Sequence, residues 1–320
     1  MTYNFCTFFD RNYLYKGLAL YYSLLEHCNE FNLWIVCFDD TSHSVLQKMN
    51  LKNVTLISME EFEDAELLSI KDKRSSTEYC WTCTPSVPLY ILNKERSLDH
   101  IAYLDADLFF YGDPAPIFKE FEGGSILITE HRYANNVKHY AKKYGKYNVQ
   151  FMVFRNNSHG LECLKWWRDR CLEWCYSRPS DGKFGDQKYL DDWTTRFEGV
   201  HVLKHLGGGL APWNISEYEI SNINNKIYVN EDLLIFYHFH SLKIINNEKF
   251  DLVGGYNLKK EHIFNIYMPY VKTINKIIDN VHDMDPNFKY GCHTNNLMDY
   301  AKLIIRIIKK YYFIIHLKEK

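Results

Sequence analysis

The stretch His100-Ile101-Ala102-Tyr103-Leu104-Asp105-Ala106-Asp107-Leu108-Phe109-Phe110-Tyr111-Gly112-Asp113-Pro114 runs an apolar segment straight into a pair of carboxylates. His100–Leu104 reads as a buried strand. Extended backbone has a side-chain period of two, so Asp105 and Asp107 are expected to leave on one side. In an open α/β sheet, ligands bind beyond the carboxyl ends of the strands. Two carboxylates in that place suit a hard divalent cation, and such a cation suits a diphosphate. Asp-x-Asp alone recurs in many chains. The apolar strand before this one and Gly112-Asp113-Pro114 after it give it meaning.

Upstream, short apolar runs alternate with helical patterns. Asn4–Phe9, Leu33–Phe38 and Val54–Ser58 read as strands. Leu14–Leu25, Ser42–Met49 and Met59–Leu68 read as helices, and Ile70–Ser76 as a charged linker. Tyr79–Asn93 is helical with a break or kink imposed by Pro85 and Pro88. Strands alternating with helices imply βαβ units and a parallel sheet. Downstream the pattern loosens: Ser125–Thr129, Gln150–Phe154, Val200–Leu203, Lys226–Val229 and Leu233–His238 read as strands. Leu161–Tyr176, a short helix starting near Asp186, Glu261–Val281 and Asp299–Leu317 read as helices. The expected fold class is α/β, with a Rossmann-like mixed sheet flanked by helices. The expected division is a catalytic domain over residues 1–260 and a C-terminal helical extension over residues 261–320.

The 320 residues are 46% hydrophobic and 24% charged, ordinary globular usage that excludes a disordered chain. A net charge of -2 argues against a nucleic-acid binder. The nine cysteines form no spacing framework, and Cys80-x-x-Cys83 has no second pair to complete a zinc site, so reduced, buried thiols are expected. No basic start followed by a long apolar run opens the chain, and no apolar stretch is long enough to span a bilayer, so a cytoplasmic protein is expected. Near the C-terminus, Leu303, Ile307, Ile308, Tyr311, Tyr312 and Ile315 recur at helical spacing. Lys302, Arg306, Lys309 and Lys310 interleave with them. Such a basic amphipathic helix fits peripheral association with an anionic inner membrane face, or a terminal helix docked on the domain with its lysines in water. The richness in Tyr, Ile and Asn suggests an AT-rich bacterial genome.

Tyr103–Leu108 spells Tyr-Leu-Asp-Ala-Asp-Leu, and this segment resembles the strand-terminal motif of the GT-A glycosyltransferases, in particular glycosyltransferase family 8 and its relatives. Further segments are similar in the same order: Asp186-Gln187-Lys188-Tyr189-Leu190, Ala211-Pro212-Trp213-Asn214, and Ile235–Lys243 with its His238-Phe239-His240 core. The resemblance spans roughly residues 3–245. It implies the GT-A fold and a metal-dependent transfer of a sugar from a nucleotide-diphosphate donor, a UDP-sugar, with retention of configuration. The basic, aromatic C-terminal segment then suggests a glycan or lipid-linked acceptor, as in polysaccharide biosynthesis.

The resemblance also implies site roles. Asp105 and Asp107 would hold Mn²⁺ or Mg²⁺ with a histidine; His238 is the expected third ligand and His240 competes with it. Thr7, Phe8, Asp10 and Tyr13 would line the nucleotide pocket, and Lys243 would meet a phosphate oxygen. Asp186 or Gln187 would flank the anomeric carbon, and Glu130 and Asp191 are the carboxylates available as a base. Trp213 reads either as core or as a ligand contact. Gln150 stands where the family carries Gly, so it is expected to intrude on the donor sugar. The family's Arg in the helix before the motif is absent, as are the Gly and the Pro-Trp ending of the His-Phe segment. Two other readings compete: a haloacid dehalogenase-type phosphatase, for which Phe109 is the wrong residue after Asp-x-Asp, and a non-catalytic glycan-binding or scaffolding protein on a transferase fold.

Overall fold

In the computed structural model, which describes residues 2–294, 304–305 and 314–317, the strand–helix alternation builds a seven-stranded sheet. Its members are β1 (Tyr3–Phe9), β2 (Phe31–Cys37), β3 (Val54–Ser58), β4 (His100–Leu104), β6 (Ile126–Glu130), β7 (Tyr147–Arg155) and β8 (Val200–Val202), in the order β3-β2-β1-β4-β7-β6-β8. The interposed β5 (Leu108–Phe110) leaves this sheet. β1, β2, β3 and β4 run parallel, joined by helical crossovers, whereas β7 is antiparallel to both β4 and β6. The sheet is therefore mixed, as expected: parallel over β1–β4 and antiparallel around β7.

Both faces of the sheet are covered, which is why β4 reads as a continuous apolar run. Ala102 and Leu104 enter one core with Phe5, Leu18 and Phe110, while Ile101 and Tyr103 enter the other with Cys6, Met152 and Trp167. The helix α1 (Leu14–His27) packs on the first face. Its Gly17 is pressed so tightly against Phe9 that a Cβ there would lie 2.2 Å from the ring. Turn chemistry sets the remaining helices. Asp39 caps Asp40–Met49 by accepting from Ser42 N, and Asp64 caps Ala65–Lys71. The single acidic helix expected over Met59–Leu68 is thus split at Glu63-Asp64. Pro85 divides the next expected helix into Ser76–Cys83 and Ser86–Lys94. Gly112-Asp113-Pro114 is a structural device: Asp113 Oδ1 accepts from Tyr3 OH and from Ala115 N, starting the helix Ala115–Glu120.

The second half adds β9 (Ile220–Ile223), β10 (Lys226–Val229), β11 (Asp232–Leu233), β12 (Phe236–His238), β13 (Lys243–Ile244), β14 (Lys249–Asp251) and β15 (Ile314–His316). The decisive pairing is β5 with β12, antiparallel, with Leu108 opposite His238. A helical run from Lys260 to Met284, with a π-helical stretch over Ile263–Tyr267, packs against α1. The expected terminal helix Asp299–Leu317 lies mostly outside the described residues. Its end is a strand instead: β15 pairs with β14, and Ile315 packs on the main core. The β-branched Ile314-Ile315 pair suits that edge position. The cysteines are free, and among the described residues they form no metal cluster.

β12 reaches its place because Gly207 O accepts from Ile235 N and Phe236 N. A Cβ on Gly207 would lie 1.9 Å from Leu233 O, a backbone atom that cannot step aside. Gly207→Ala is therefore expected to lower the unfolding free energy by about 1–3 kcal/mol. It should also displace His238, so cation affinity and thermal midpoint should fall together. An unchanged midpoint would show that the loop adapts.

Candidate active site

The motif closes differently from an extended strand. Asp105 N donates to Gln150 O, carrying the β4–β7 ladder one residue further, and Leu108 N then donates to Asp105 O at 3.1 Å. Asp105–Leu108 is thus a tight turn. It reverses the chain so that β5 can lie on β12, and both carboxylates still approach one side chain, His238. Tyr103 OH donates to Asp105 Oδ1 at 2.9 Å.

β12 delivers the third group. His238 Nε2 lies 3.0 Å from Asp107 Oδ1 and 3.8 Å from Asp105 Oδ2. One ligand atom from each of Asp105, Asp107 and His238 falls within 4.8 Å of the others. His240 does not join this set; it is exposed, its ring 5.8 Å from that of His238. Two carboxylates and an imidazole form a donor set that suits Mn²⁺ or Mg²⁺.

Gln150 is buried against His238, its Oε1 2.7 Å from His238 Nδ1, while its Nε2 is buried without a partner. In that contact Nδ1–H donates to the Gln150 amide oxygen, so Nε2 is the nitrogen turned toward the carboxylates. The support continues inward. Gln150 N donates to Asn148 Oδ1, and Asn148 Nδ2 lies 2.9 Å from His131 Nε2. The carbonyl of His131 accepts from both Trp213 Nε1 and Asn214 Nδ2. Trp213 and Asn214 therefore pin the layer beneath the site, and the Trp213 ring also stands 5.3 Å from His238.

Charge follows the same geometry. Burial alone would raise the Asp107 carboxyl, but His238 beside it and Lys16 hold it well below the usual range. Burial, with Asp107 nearby, pushes Asp105 up to about 6. Burial would lower His238, yet the two carboxylates outweigh it and raise its affinity for a proton. Lys16 is the residue missed from sequence. It is buried on α1, with Nζ 3.8 Å from Asp107 Oδ2 and 4.5 Å from the centre of the Tyr13 ring. Its signal was present: a lysine inside the apolar face Leu14–Leu24 has no reason to be there unless an anion meets it.

The residues expected to line a nucleotide pocket sit where β1 ends. Phe5 pairs with Ala102 and Cys6 with Tyr103, so Thr7 and Phe8 run level with Leu104 and Asp105. Thr7 Oγ1 is buried and unpartnered, Phe8 stacks on Phe38, Asp10 Oδ1 accepts from Asn12 N and Tyr13 N, and Tyr13 is exposed. Lys243 lies on β13 with Nζ 2.9 Å from His293 Nε2. Glu130 faces Lys146 Nζ at 4.0 Å. Asp191 is committed to structure, accepting from Lys146 N and pairing with Lys188. Gln187 Nε2 donates to Tyr144 O.

Asp186 makes no cap bond at the short helix it precedes. Its carbonyl accepts from Trp167 Nε1, while its carboxyl is buried with Oδ2 unpartnered. Burial, aided by Asp105, pushes the carboxyl up from an ordinary 3.8 to about 7. Between those values the folded chain holds a proton that the unfolded chain has released. Stability should therefore fall as pH rises through this window, by an amount on the order of a few kcal/mol. Asp186→Asn should remove that loss. Urea midpoints at about pH 5 and about pH 8 check this; an equal pH slope in both proteins would refute it.

Comparison with known proteins closes the question of kinship. No protein-family model matches the chain. It is 34% identical to the uncharacterized protein YfnD of Bacillus subtilis (strain 168) over 293 residues, covering 91% of this chain and 94% of YfnD. It is 32% identical to YfnF of the same strain, covering 90% of this chain and 97% of YfnF. The chain belongs to the family of YfnD and YfnF. Its fold is that of the GT-A glycosyltransferases. The galactosyltransferase LgtC, solved with donor and acceptor sugar analogs, superposes with a TM-score of 0.55 at 11% identity, over 95% of this chain and all (100%) of LgtC. The apo-form glycosyltransferase GlyE of Streptococcus pneumoniae TIGR4 gives 0.53 at 14% identity, over 92% of this chain and 66% of GlyE. Among the described residues, no helix is long and apolar enough to cross a membrane.

Proposed function

We propose that this protein transfers a sugar from a nucleoside diphosphate donor, a UDP-sugar, to a glycan hydroxyl. The observation that carries the proposal is the convergence of Asp105, Asp107 and His238 at the carboxyl rim of β4. Mn²⁺ or Mg²⁺ held by these residues would supply Lewis-acid neutralisation of the charge that develops on the departing diphosphate.

The chain's own groups do the rest. Lys16 adds a fixed positive charge on the α1 side of the carboxylates, dry enough to act over its distance to a phosphate. Thr7 Oγ1, buried without a partner, offers a hydrogen bond to the nucleotide beside the end of β1. Asp186, close to its titration point at neutral pH, can accept from or donate to a donor-sugar hydroxyl. In a retaining transfer the anomeric C–O bond to the phosphate breaks and the bond to the acceptor oxygen forms on the same face. The acceptor proton passes to the leaving phosphate oxygen, so no carboxylate base from the chain is needed. The separate engagements of Asp191 and Glu130 fit that path.

Incubation with a panel of nucleotide sugars, with Mn²⁺ or with a chelator, tests the reading. Release of nucleotide that needs both the metal and one particular donor is expected. No release or binding of any nucleotide sugar would favour a glycan-binding scaffold. The basic segment 302–320 supports a peripheral location on an anionic membrane. Co-sedimentation of the full chain with vesicles of anionic lipid checks this; a chain that stays in the supernatant is not a membrane protein of that kind.

A further inference from the structure

The stretch 131–147 holds Arg132, Lys138, Lys142, Lys143 and Lys146 and no Asp or Glu, in a chain whose net charge is -2. Arg132 turns inward and donates to Gly208 O. The four lysines are exposed, on the short helix Tyr140–Tyr144 and the turns beside it. Lys146 comes within 4.0 Å of Glu130, on the strand before the stretch. We propose that Lys138, Lys142 and Lys143, together with the exposed aliphatic pair Ile304-Ile305, form a face that docks on an anionic lipid bilayer. The inference rests on the peripheral-membrane reading above and adds to it a surface of the folded domain, outside the C-terminal segment on which that reading stands.

Local packing turns the lysines outward. Tyr140 and Tyr144 are one helical turn apart and so share a side. Their ring centres are 5.5 Å apart; Tyr140 lies 6.2 Å from Tyr133, and Tyr144 lies 4.8 Å from Phe184. Gln187 Nε2 donates to Tyr144 O and Lys188 Nζ to Ala141 O, which ties the helix to the domain. With the aromatic side committed to these contacts, Lys142 and Lys143 are left to water.

A second observation brings the aliphatic pair to the same place. Val137 and Tyr140 of the basic stretch line one cleft with Ile305. Ile304 and Ile305 are 60% and 53% exposed. The sequence of residues 295–320 carries six Lys and Arg against two carboxylates, Asp299 and Glu319. The C-terminal segment therefore adds to the positive charge of the stretch rather than cancelling it.

The pairing of lysines with aliphatic side chains selects a bilayer. Anionic headgroups attract a lysine cluster, and the acyl boundary beneath them takes up apolar side chains. A polyanion in solution would engage the lysines and leave Ile304 and Ile305 in water. A nucleic-acid strand binds through rings open to its bases, whereas Tyr140 and Tyr144 are stacked on their own neighbours.

Flotation of the full chain with vesicles tests the inference. The probes are vesicles of phosphatidylglycerol in phosphatidylcholine, vesicles of phosphatidylcholine alone, and long-chain inorganic polyphosphate in solution. Binding to the anionic vesicles is expected, falling with added salt. The triple variant Lys138→Gln, Lys142→Gln, Lys143→Gln should bind them about a hundredfold more weakly, about fivefold per lysine, while the triple arginine variant retains binding. Ile304→Asn with Ile305→Asn should weaken vesicle binding about tenfold and leave polyphosphate binding unchanged. Thermal midpoints should match the parent in every variant, since the substituted side chains are exposed. Vesicle binding by the glutamine variant equal to the parent's would overturn the face while leaving the C-terminal segment as a membrane contact. Vesicle binding indifferent to the asparagine pair, or polyphosphate bound as tightly as the vesicles, would make the lysines a site for soluble polyanions and overturn the bilayer. A parent chain that ignores anionic vesicles would overturn the peripheral-membrane reading and the face together.

Discussion

Replacing Asp107 by Asn should reduce sugar-nucleotide turnover by about a thousandfold or more, the loss of several kcal/mol of charge stabilisation in the transition state. Asp107 is the more committed of the two carboxylates. It is buried, faces His238 Nε2 at 3.0 Å and Lys16 at 3.8 Å, and its environment keeps it ionised. An amide removes the charge while keeping the shape, so the fold should survive. The thermal midpoint is the control. Loss of Asp107 also leaves Lys16 and His238 without a buried anion, so the variant should release bound Mn²⁺ as well as losing rate. Asp105→Asn should act in the same direction. Near-normal turnover by both variants at saturating Mn²⁺ would remove the cation from the mechanism.

The second large effect concerns His238 and the residue behind it. His238→Ala removes the imidazole of the proposed cation set and should abolish tight Mn²⁺ binding. Gln150→Ala deletes no ligand but frees the His238 ring to turn, and should weaken Mn²⁺ by about 10–100-fold, the usual cost of an outer partner. Calorimetric titration of the chain with Mn²⁺ reads both without any need for turnover. His240→Ala serves as the contrast, since His240 is exposed and outside the set. If the alanine variants at positions 238 and 240 behave alike, neither histidine coordinates. If Gln150→Ala binds Mn²⁺ as the parent does, the 2.7 Å contact to His238 Nδ1 is packing alone.

Much of the first half of the fold was legible because its strands are buried on both faces and its helices carry local caps. Val54–Ser58 and His100–Leu104 match their apolar runs residue for residue. The second half was less legible for a physical reason. β5 and β13 are short, and their apolar residues are set by neighbours distant in sequence, so no local period marks them. The same holds for β15, where an apolar pattern of helical spacing ends as a strand paired with β14. Within the site, the acidic pair and His238 stood out by type and place. Gln150 was visible only as a departure from a pattern, and its role as a partner of His238 was not.

The sequence by itself determined that an acidic pair would stand at the end of a buried strand, because alternating strands and helices leave that end as the open rim of a sheet. It also carried the order of motifs that resembles the GT-A glycosyltransferases. Only the tertiary structure decided which histidine joins the pair, that Lys16 faces it, and that Gln150 lies against His238. Those outcomes depend on the antiparallel pairing of β5 with β12 and on the tight turn between β4 and β5. Both are contacts between segments more than a hundred residues apart or geometries of a few residues, and neither leaves a period in the chain.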